Sequence, residues 1–289
     1  MDKTLELKQK YDKGEILNYQ QSMTYFEQSK LIKKLLVNFE VDVLTLLNRL
    51  IELSEIPFTS EIEQVKLWVN QLADLSYCQH GFSLTGKSDD ILPCYNSMIT
   101  TVLIKMNYNN ETRINKGIEW ILNYQNVNRG LRNTWKGTRI QKYGGCMKQT
   151  PCFIGIVKAL IALTEYKKSS FYKTNKKVET KLSQGLEYIL EHNIFNRKTD
   201  HKPITKDIVK LTYPFTYKTN VVEILRLMKD NQLLGDKRCE LAKTFLIKKK
   251  QNNDFWKVNS SYLPKFWVKF DKPKEKGLWI SYEIRKIID

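Results

Sequence analysis

The chain repeats a pattern of two consecutive helices, and this repetition restricts the fold more than any other feature. The second helix of each pair has an aromatic residue or leucine near its middle and polar residues at its end. Its copies are 114–125 (INKGIEWILNYQ), 182–193 (LSQGLEYILEHN) and 240–251 (ELAKTFLIKKKQ), with a looser copy at 63–74. The first helices align in the same way at 95–108, 153–166 and 218–231. One antiparallel helix pair cannot bury its apolar face without neighbours, so the pattern predicts a series of helical hairpins packed side by side.

The composition favours long helices with few interruptions. The 289 residues include 12 Gly and 7 Pro, too few for the many tight turns of an all-β chain. Hydrophobic residues make up 42% of the chain, which is enough to bury a substantial core. We therefore predict an all-α fold. No shift in composition marks a domain boundary, and we predict a single domain in which residues 1–39 form an N-terminal helical extension packed on the repeats of residues 40–289.

Other local signals place the remaining elements. Apolar spacing predicts a helix within 16–38 and another over 41–53, which Pro57 ends. Ser60 and Glu63 have the spacing of a capping box, which predicts the start of the next helix. Loops are predicted where the periodicity is lost, at 77–93, 126–145 and 194–213, and a last helix is predicted at 276–289.

Three features resemble a known superfamily. The helix GIEWILNYQ (117–125) is followed by a glycine-containing loop, and QNNDFW (251–256) is similar to the glutamine-to-tryptophan repeats of cyclases. A glycine–cysteine loop, with Gly145, Cys146 and Cys152, precedes the apolar helix at 157–163. Over about residues 41–289 the chain resembles the α/α toroids of the terpenoid cyclase and protein prenyltransferase superfamily, most of all its compact prokaryotic members. The resemblance implies that the repeated antiparallel hairpins close into a ring of inner and outer helices.

The chain departs from the catalytic motifs of that superfamily. Class II cyclases protonate their substrate with an aspartate of a DxDD motif, where neighbouring carboxylates keep the acid protonated. Here the corresponding run is Lys87, Ser88, Asp89 and Asp90, with lysine where the first aspartate is needed. Protein prenyltransferases bind zinc through Asp, Cys and His, and the sequence has no Asp-x-Cys with a matching downstream His. The resemblance therefore implies a fold and a cavity rather than a known reaction.

A toroid would carry its ligand in a central cavity. Candidates to line this cavity are residues of the loops that enter the inner helices: Tyr95, Tyr143, Cys146, Tyr213, Phe215, Trp267 and Trp279. In the cyclases that the chain resembles, such aromatic faces stabilise carbocations, and they also suit an apolar or isoprenoid-like small molecule. The alternative is that these rings seal an irregular layer at the helix ends.

Thiols and an imidazole fall on the same predicted loops. In a toroid, Cys78, His80, Cys94, Cys146 and Cys152 would approach one another at one mouth of the ring. These groups are the ligands of tetrahedral zinc, so the set is a candidate metal site with zinc as its metal. Two alternatives remain open, namely small buried thiols at helix starts and a redox or nucleophilic cysteine, for which Cys146 is favoured.

The formal net charge of +17 indicates a positive field that attracts polyanions. The sequence therefore also fits a non-catalytic scaffold that binds nucleic acid or an acidic protein through its basic surface. Two segments interleave aromatic and basic residues, 128–136 and 262–276. Solvated lysines above buried tryptophans would produce the same pattern of letters.

Neither a signal peptide nor an apolar run long enough to span a bilayer is evident, which predicts a cytoplasmic protein with reduced thiols. His192 and His201 lie in polar surroundings and are predicted to be exposed to solvent.

Overall fold

The computed structural model describes residues 2–137, 149–259 and 268–289. Its elements in chain order are α1 (Lys3–Asp12), α2 (Tyr19–Gln28), α3 (Lys30–Leu35), α4 (Val43–Leu53), α5 (Glu63–Ser76), β1 (Tyr77–Cys78), β2 (Gly81–Phe82), α6 (Pro93–Lys105), α7 (Glu111–Tyr124), α8 (Phe153–Lys168), α9 (Lys176–Glu191), α10 (Val221–Asp230), α11 (Glu240–Lys248) and α12 (Leu278–Ile288). The all-α prediction is confirmed, since the two-residue strands of one antiparallel hairpin are the only β-strands in the described ranges.

The helices pack as pairs that are themselves in contact. Within the pairs, α4 contacts α5, α6 contacts α7, and α8 contacts α9. The first helices of successive pairs also touch, in the order α4, α6, α8 and α10, and α10 then contacts α12. In α6, ten of thirteen residues are buried, whereas α7 buries five of fourteen, so α6 lies inside the molecule and α7 forms part of its surface.

The glycines of the repeated second helices allow the two helices of a pair to approach closely. A Cβ atom on Gly117 of α7 would lie 2.3 Å from Thr100 Oγ1 of α6. A Cβ atom on Gly185 of α9 would lie 2.4 Å from a methyl carbon of Leu160 of α8. Both distances are far inside van der Waals contact, so a side chain at either position would force its neighbour to move.

Asparagine caps begin three of the repeated helices. The side chains of Asn110, Asn175 and Asn220 accept hydrogen bonds from backbone N–H groups in the first turns of α7, α9 and α10. Each cap pairs an N–H group that the helix itself leaves without a partner. These helices therefore begin where the polar asparagine precedes the apolar pattern.

Two sequence predictions about the N-terminal third are wrong. Thr59–Glu61 forms a 3₁₀ turn and α5 begins at Glu63 after Ile62, so the proposed capping box of Ser60 and Glu63 does not form. The helix predicted within 16–38 is interrupted at Ser29, whose hydroxyl accepts hydrogen bonds from the backbone N–H groups of Leu31 and Ile32 and so begins α3.

The predicted loops contain some local order. The segment 77–93 includes the β1–β2 hairpin and a 3₁₀ turn at Ser88–Asp90, and the described part of 126–145 has no helix or strand. Among the helices of the described ranges, none has the length and apolar character needed to cross a membrane. The division at residue 39 stays a prediction.

Candidate binding cavity

A cavity of about 80 Å³ lies between α4, α6, α8 and α10. Near its mouth are Glu55, just beyond α4, Lys105 at the end of α6, Glu165 near the end of α8, and Asp230 at the end of α10. The four helices thus present their C-terminal ends to the same mouth. Deeper in the cavity the lining is mostly apolar, with Ile51, Met98, Val102, Ile161, Phe215 and Leu227.

Glu55 is the centre of a hydrogen-bonded ion cluster at this mouth. Its two carboxylate oxygens accept hydrogen bonds from Lys105 Nζ at 2.9 Å, Arg226 Nη1 at 2.7 Å and the Tyr213 hydroxyl at 2.8 Å. Burial alone would raise the pKa of Glu55, but the positive charges of Arg226 and Lys105 outweigh it and hold that pKa well below its ordinary value. Glu55 is therefore a carboxylate at neutral pH.

A second ion pair lies on the cavity wall between α8 and α10. The Lys158 ammonium group donates hydrogen bonds to Glu223 Oε1 and, at 2.7 Å, to the backbone oxygen of Thr216. Both charged side chains are about 95% buried. The other carboxylate oxygen of Glu223 is also buried and accepts no hydrogen bond from the described residues. Glu223, which lines the cavity, thus has one buried carboxylate oxygen without a hydrogen-bond donor.

The charged side chains around the mouth nearly balance one another in a strongly basic protein. Four carboxylates and three cations belong to residues that line the cavity: Glu55, Glu165, Glu223 and Asp230 against Lys105, Lys158 and Arg226. The ends of the four helices add partial negative charge from their free carbonyl groups. Lys168, outside the lining, pairs with Glu165 at 2.9 Å and with Asp230 at 3.1 Å.

Two open clefts adjoin the cavity mouth. One, of about 370 Å³, is lined by Lys8, Glu55 and the segment that follows α4, and the other, of about 560 Å³, is lined by Glu165, Lys168 and the segment that follows α8. Lys105 lines both clefts as well as the cavity, and Tyr11 of α1 lines both clefts. A molecule with one end in the cavity therefore has room to extend outwards past Lys105.

The predicted aromatic residues fall into separate places. Phe215 lines the cavity. Tyr213 packs edge-on against Phe215 and stacks on Trp279 with ring centroids 5.8 Å apart, so these three form one buried aromatic cluster. Tyr95 lies elsewhere, in the first turn of α6, stacked on Tyr217. Tyr143, Cys146 and Trp267 lie outside the described residues.

The thiols that the structure describes do not assemble into a metal site by themselves. Cys78 packs with Ile91 and Trp120 and donates a hydrogen bond to the Gly81 oxygen, whereas Cys94 packs with Leu92 in another cluster. His80 rests against Trp135. Within the described ranges, no three His, Cys, Asp or Glu side chains are grouped so as to hold a metal ion. The predicted set of Cys78, His80, Cys94 and Cys152 is thus not brought together as a metal site, and Cys146 lies outside the described residues.

Cys94 and Cys152 do interact at the starts of the adjacent helices α6 and α8. Burial, together with the nearby Cys152, raises the pKa of Cys94 to about 12, although the Tyr217 hydroxyl acts in the opposite direction. A thiol with such a pKa is protonated at neutral pH and is a poor nucleophile. Cys94 is therefore an inert buried thiol under these conditions.

The structure also bears on two other sequence predictions, the exposure of two histidines and base stacking by the segment 128–136. His192 is 2% exposed, and its Nδ1 lies 2.7 Å from the Asn196 oxygen, so the prediction that it is exposed is wrong. His201 is exposed as predicted. In the candidate segment 128–136, Trp135 packs against Trp120 and Tyr124, which leaves its ring little surface for stacking on a base.

The cavity charges were missed because they are distributed over four helices. A local signal did exist, since Lys158 interrupts the apolar run FIGIVKALIAL, and Glu223 and Arg226 stand three residues apart in VVEILRL. Residues three apart lie on the same face of a helix, so a charged pair within an apolar run indicates charge directed into the protein.

Comparison with known proteins adds no assignment. No family model matches this chain, and neither a curated protein nor a solved structure matches it.

Proposed function

We propose that this protein binds a small molecule in the cavity between α4, α6, α8 and α10, and that its hairpins form an α/α toroid around that cavity. What supports the toroid is the ordered contact of α4, α6, α8, α10 and α12, with more exposed partner helices outside them. The likeness to the terpenoid cyclase and prenyltransferase superfamily remains part of the proposal through the GIEWILNYQ and QNNDFW segments. We assign the chain a binding role and no reaction.

The ligand that fits best is small and bears an ammonium group. A volume of about 80 Å³ is well below the roughly 300–1,000 Å³ of pockets that hold drug-sized ligands. An isoprenoid chain would therefore have to lie mainly in the outer clefts, whose linings are more polar. Positive charge on the ligand is favoured by the Glu223 carboxylate oxygen that accepts no hydrogen bond and by the four helix C-termini at the mouth.

The observation that carries the proposal is the unused oxygen of Glu223. Burying two charges costs several kcal/mol, and replacing a buried ion pair by well-packed apolar residues often leaves a protein at least as stable. Stability alone therefore gives little reason for the Lys158–Glu223 pair. A buried carboxylate oxygen without a donor adds to that cost. A ligand ammonium group would supply the missing hydrogen bond, and Phe215 would cover its apolar part.

The test compares three four-carbon probes of equal length. We expect 1,4-diaminobutane to raise the melting temperature and to bind in calorimetry, whereas succinate and 1,4-butanediol should do neither. A ligand stabilises the folded state by RT ln(1 + [L]/Kd), so a probe at 100 times its Kd adds about 2.7 kcal/mol. In Glu223→Gln the affinity for the diamine should fall about tenfold or more, because a hydrogen bond between charged groups is lost.

A second variant separates binding from stability. Ile161→Trp fills the cavity and removes no charge, so it should abolish diamine binding while the protein stays folded. The matched control, Ile16→Trp, makes the same substitution at a side chain that is 98% exposed and should bind normally. Equal binding of the diamine by both tryptophan variants, or preferential binding of succinate, would contradict the proposal.

A further inference from the structure

A group of mostly exposed cations lies where α11 ends and α12 begins. We propose that this basic surface, defined as Lys248, Lys249, Lys250, Lys257, Lys276 and Arg285, binds the phosphodiester backbone of a single-stranded nucleic acid. It is independent of the cavity, and Lys276 is its one member that belongs to a segment that the sequence pattern had suggested.

The cations of this surface mostly lack acidic partners, whereas many other lysines in the described ranges are paired. Elsewhere lysines form ion pairs with carboxylates, for example Lys66 with Glu63, Lys116 with Glu119, Lys167 with Glu179 and Lys210 with Asp207. Of the basic surface, only Lys250 has a carboxylate within 4.0 Å among the described residues, at Asp254. Asp254 also interacts electrostatically with Arg285, so it is the acidic side chain that partly offsets the surface, and the remaining positive charge favours the approach of a polyanion.

Two aromatic rings organise the cations. Lys276 Nζ lies 5.1 Å and the Arg285 guanidinium carbon 5.0 Å from the ring centre of Phe255, and Lys250 Nζ lies 5.8 Å from that of Trp256. Trp256 is fully buried, and a β-bridge joins it to Gly277, the neighbour of Lys276. Cation–π attraction thus holds three charges near a rigid base, which reduces the entropy that binding would cost.

The loop between the cations forms a groove with hydrogen-bonding groups. Lys250, Gln251, Asn252, Asn253 and Lys257 line a space of about 340 Å³, and all five are exposed. Side-chain amides donate hydrogen bonds to phosphate and sugar oxygens, and lysines release counterions from the strand. The groove therefore offers both components of backbone binding.

The same features argue for a nucleic acid strand over a membrane surface. Membrane-surface binding uses apolar side chains that insert between lipids. Here Trp256 is buried beneath the cations and Phe255 is covered by two of them, so neither ring is free to insert. A groove lined by amides suits a narrow polar chain.

The experiment measures fluorescence anisotropy with a labelled single-stranded oligonucleotide of about 20 nucleotides, which exceeds the usual site size of small binding folds. The triple variant Lys249→Ala, Lys257→Ala, Lys276→Ala should lose about tenfold or more in affinity at low salt. The slope of log K against log salt concentration should become shallower by about 2, because each phosphate contact to a single strand contributes about 0.7.

The control variant removes the same charge from paired lysines. Lys66→Ala, Lys116→Ala, Lys167→Ala lowers the net charge of +17 by three, as the first triple variant does. If the basic surface binds the strand, the control should change the affinity less than twofold, and the triple Lys→Arg variant at 249, 257 and 276 should bind as the original protein does.

Three results would overturn the proposal. The first is that the original protein shows no binding to the oligonucleotide. The second is that both alanine variants weaken binding equally, which would indicate attraction by net charge alone. In the third, the basic-surface variant keeps oligonucleotide binding but no longer sediments with vesicles of phosphatidylcholine and phosphatidylserine, which would assign the surface to lipid. None of these results bears on diamine binding in the cavity.

Discussion

At the scale of single residues, the interior of this protein contains charges in two different states. Glu55 is held as a carboxylate by Arg226 and Lys105, which share it with the Tyr213 hydroxyl. Glu52, one helical turn before it, is fully buried, and burial raises its pKa to about 8 although the Val268 N–H group and Arg49 act in the opposite direction. Two glutamates three residues apart thus have opposite protonation preferences, because only one of them has strong cationic partners.

Replacing Glu55 should be severely destabilising. Glu55→Gln removes the negative charge that neutralises Arg226 and Lys105, and breaking a buried ion pair on one side costs about 3–5 kcal/mol. We expect a loss of this size in the free energy of unfolding, measured by urea denaturation. The control Glu275→Gln, which affects an exposed pair with Lys272, should change it by less than about 1 kcal/mol. Equal effects of the two variants would show that Glu55 is not energetically central.

Glu52 should make the stability depend on pH near neutrality. Between its ordinary pKa of 4.5 and about 8, the folded protein retains a proton at Glu52 that the unfolded chain has released. Stability from this group is therefore complete below pH 4.5, falls as the pH rises through the window by up to about 1.4 kcal/mol per pH unit, and is constant above it.

The measurement is urea unfolding at several pH values for the original protein and for Glu52→Gln, which cannot titrate. The free-energy difference between them should shift steadily across pH 5–8 in the direction that favours the original protein at low pH. Because His192 titrates in both proteins, its contribution cancels in the difference. A difference that stays flat with pH would mean that Glu52 is ionised in the folded state.

At the scale of elements, the helix pairs depend on close contact at glycine. Gly117→Ala would place a methyl group 2.3 Å from Thr100 Oγ1 and 3.1 Å from the Phe82 ring. Overpacking of this kind typically costs about 1–3 kcal/mol, more than the gain in helix propensity of up to about 1 kcal/mol. We expect a net loss of stability in thermal and urea unfolding. Gly235→Ala is the matched control, since nothing lies within 4 Å of its Cβ position, and it should be nearly neutral.

The sequence predicted the helices well because their signals are local. Apolar spacing located α4 and α6 to α12 to within a few residues, and asparagine caps coincide with three of the helix starts. The break at Ser29 was missed because it depends partly on a distant residue, Asp2, whose carboxylate accepts a hydrogen bond from the Ser29 hydroxyl. The candidate site was missed for a related reason. Glu55 and Arg226 are 171 positions apart, and no pattern along the chain connects them.

At the scale of the whole molecule, the first and last helices are joined. Lys8 of α1 lies 3.3 Å from Asp12 and 3.8 Å from Glu283 of α12, and Asp12 accepts hydrogen bonds from Tyr282 and Lys286. Since Arg226 pairs with Glu55 and also lies 3.7 Å from Glu283, the ionic cluster extends from α1 to the mouth of the cavity. The segment predicted as an extension therefore contributes charge to the centre of the protein.

Removing residues 1–15 should accordingly weaken the whole fold and not just its edge. The truncation removes the buried side chains of Leu5 and Leu7 and exposes the surface against which they pack. It also leaves Glu283 without Lys8, a lysine whose pKa is lowered by burial although Glu283 acts in the opposite direction. Burial of a leucine side chain contributes about 1.5–3 kcal/mol, and in a large domain each kcal/mol lost lowers the melting temperature by about 2–4 °C. We expect a melting temperature lower by at least about 5 °C, restored in part by a synthetic peptide of residues 2–15.

The same peptide with Lys8→Ala and Asp12→Ala should restore less, because it can fill the apolar contact but not complete the ionic cluster. An unchanged melting temperature after truncation would show that the remaining chain is stable without α1, and equal rescue by both peptides would show that α1 is held by its leucines alone.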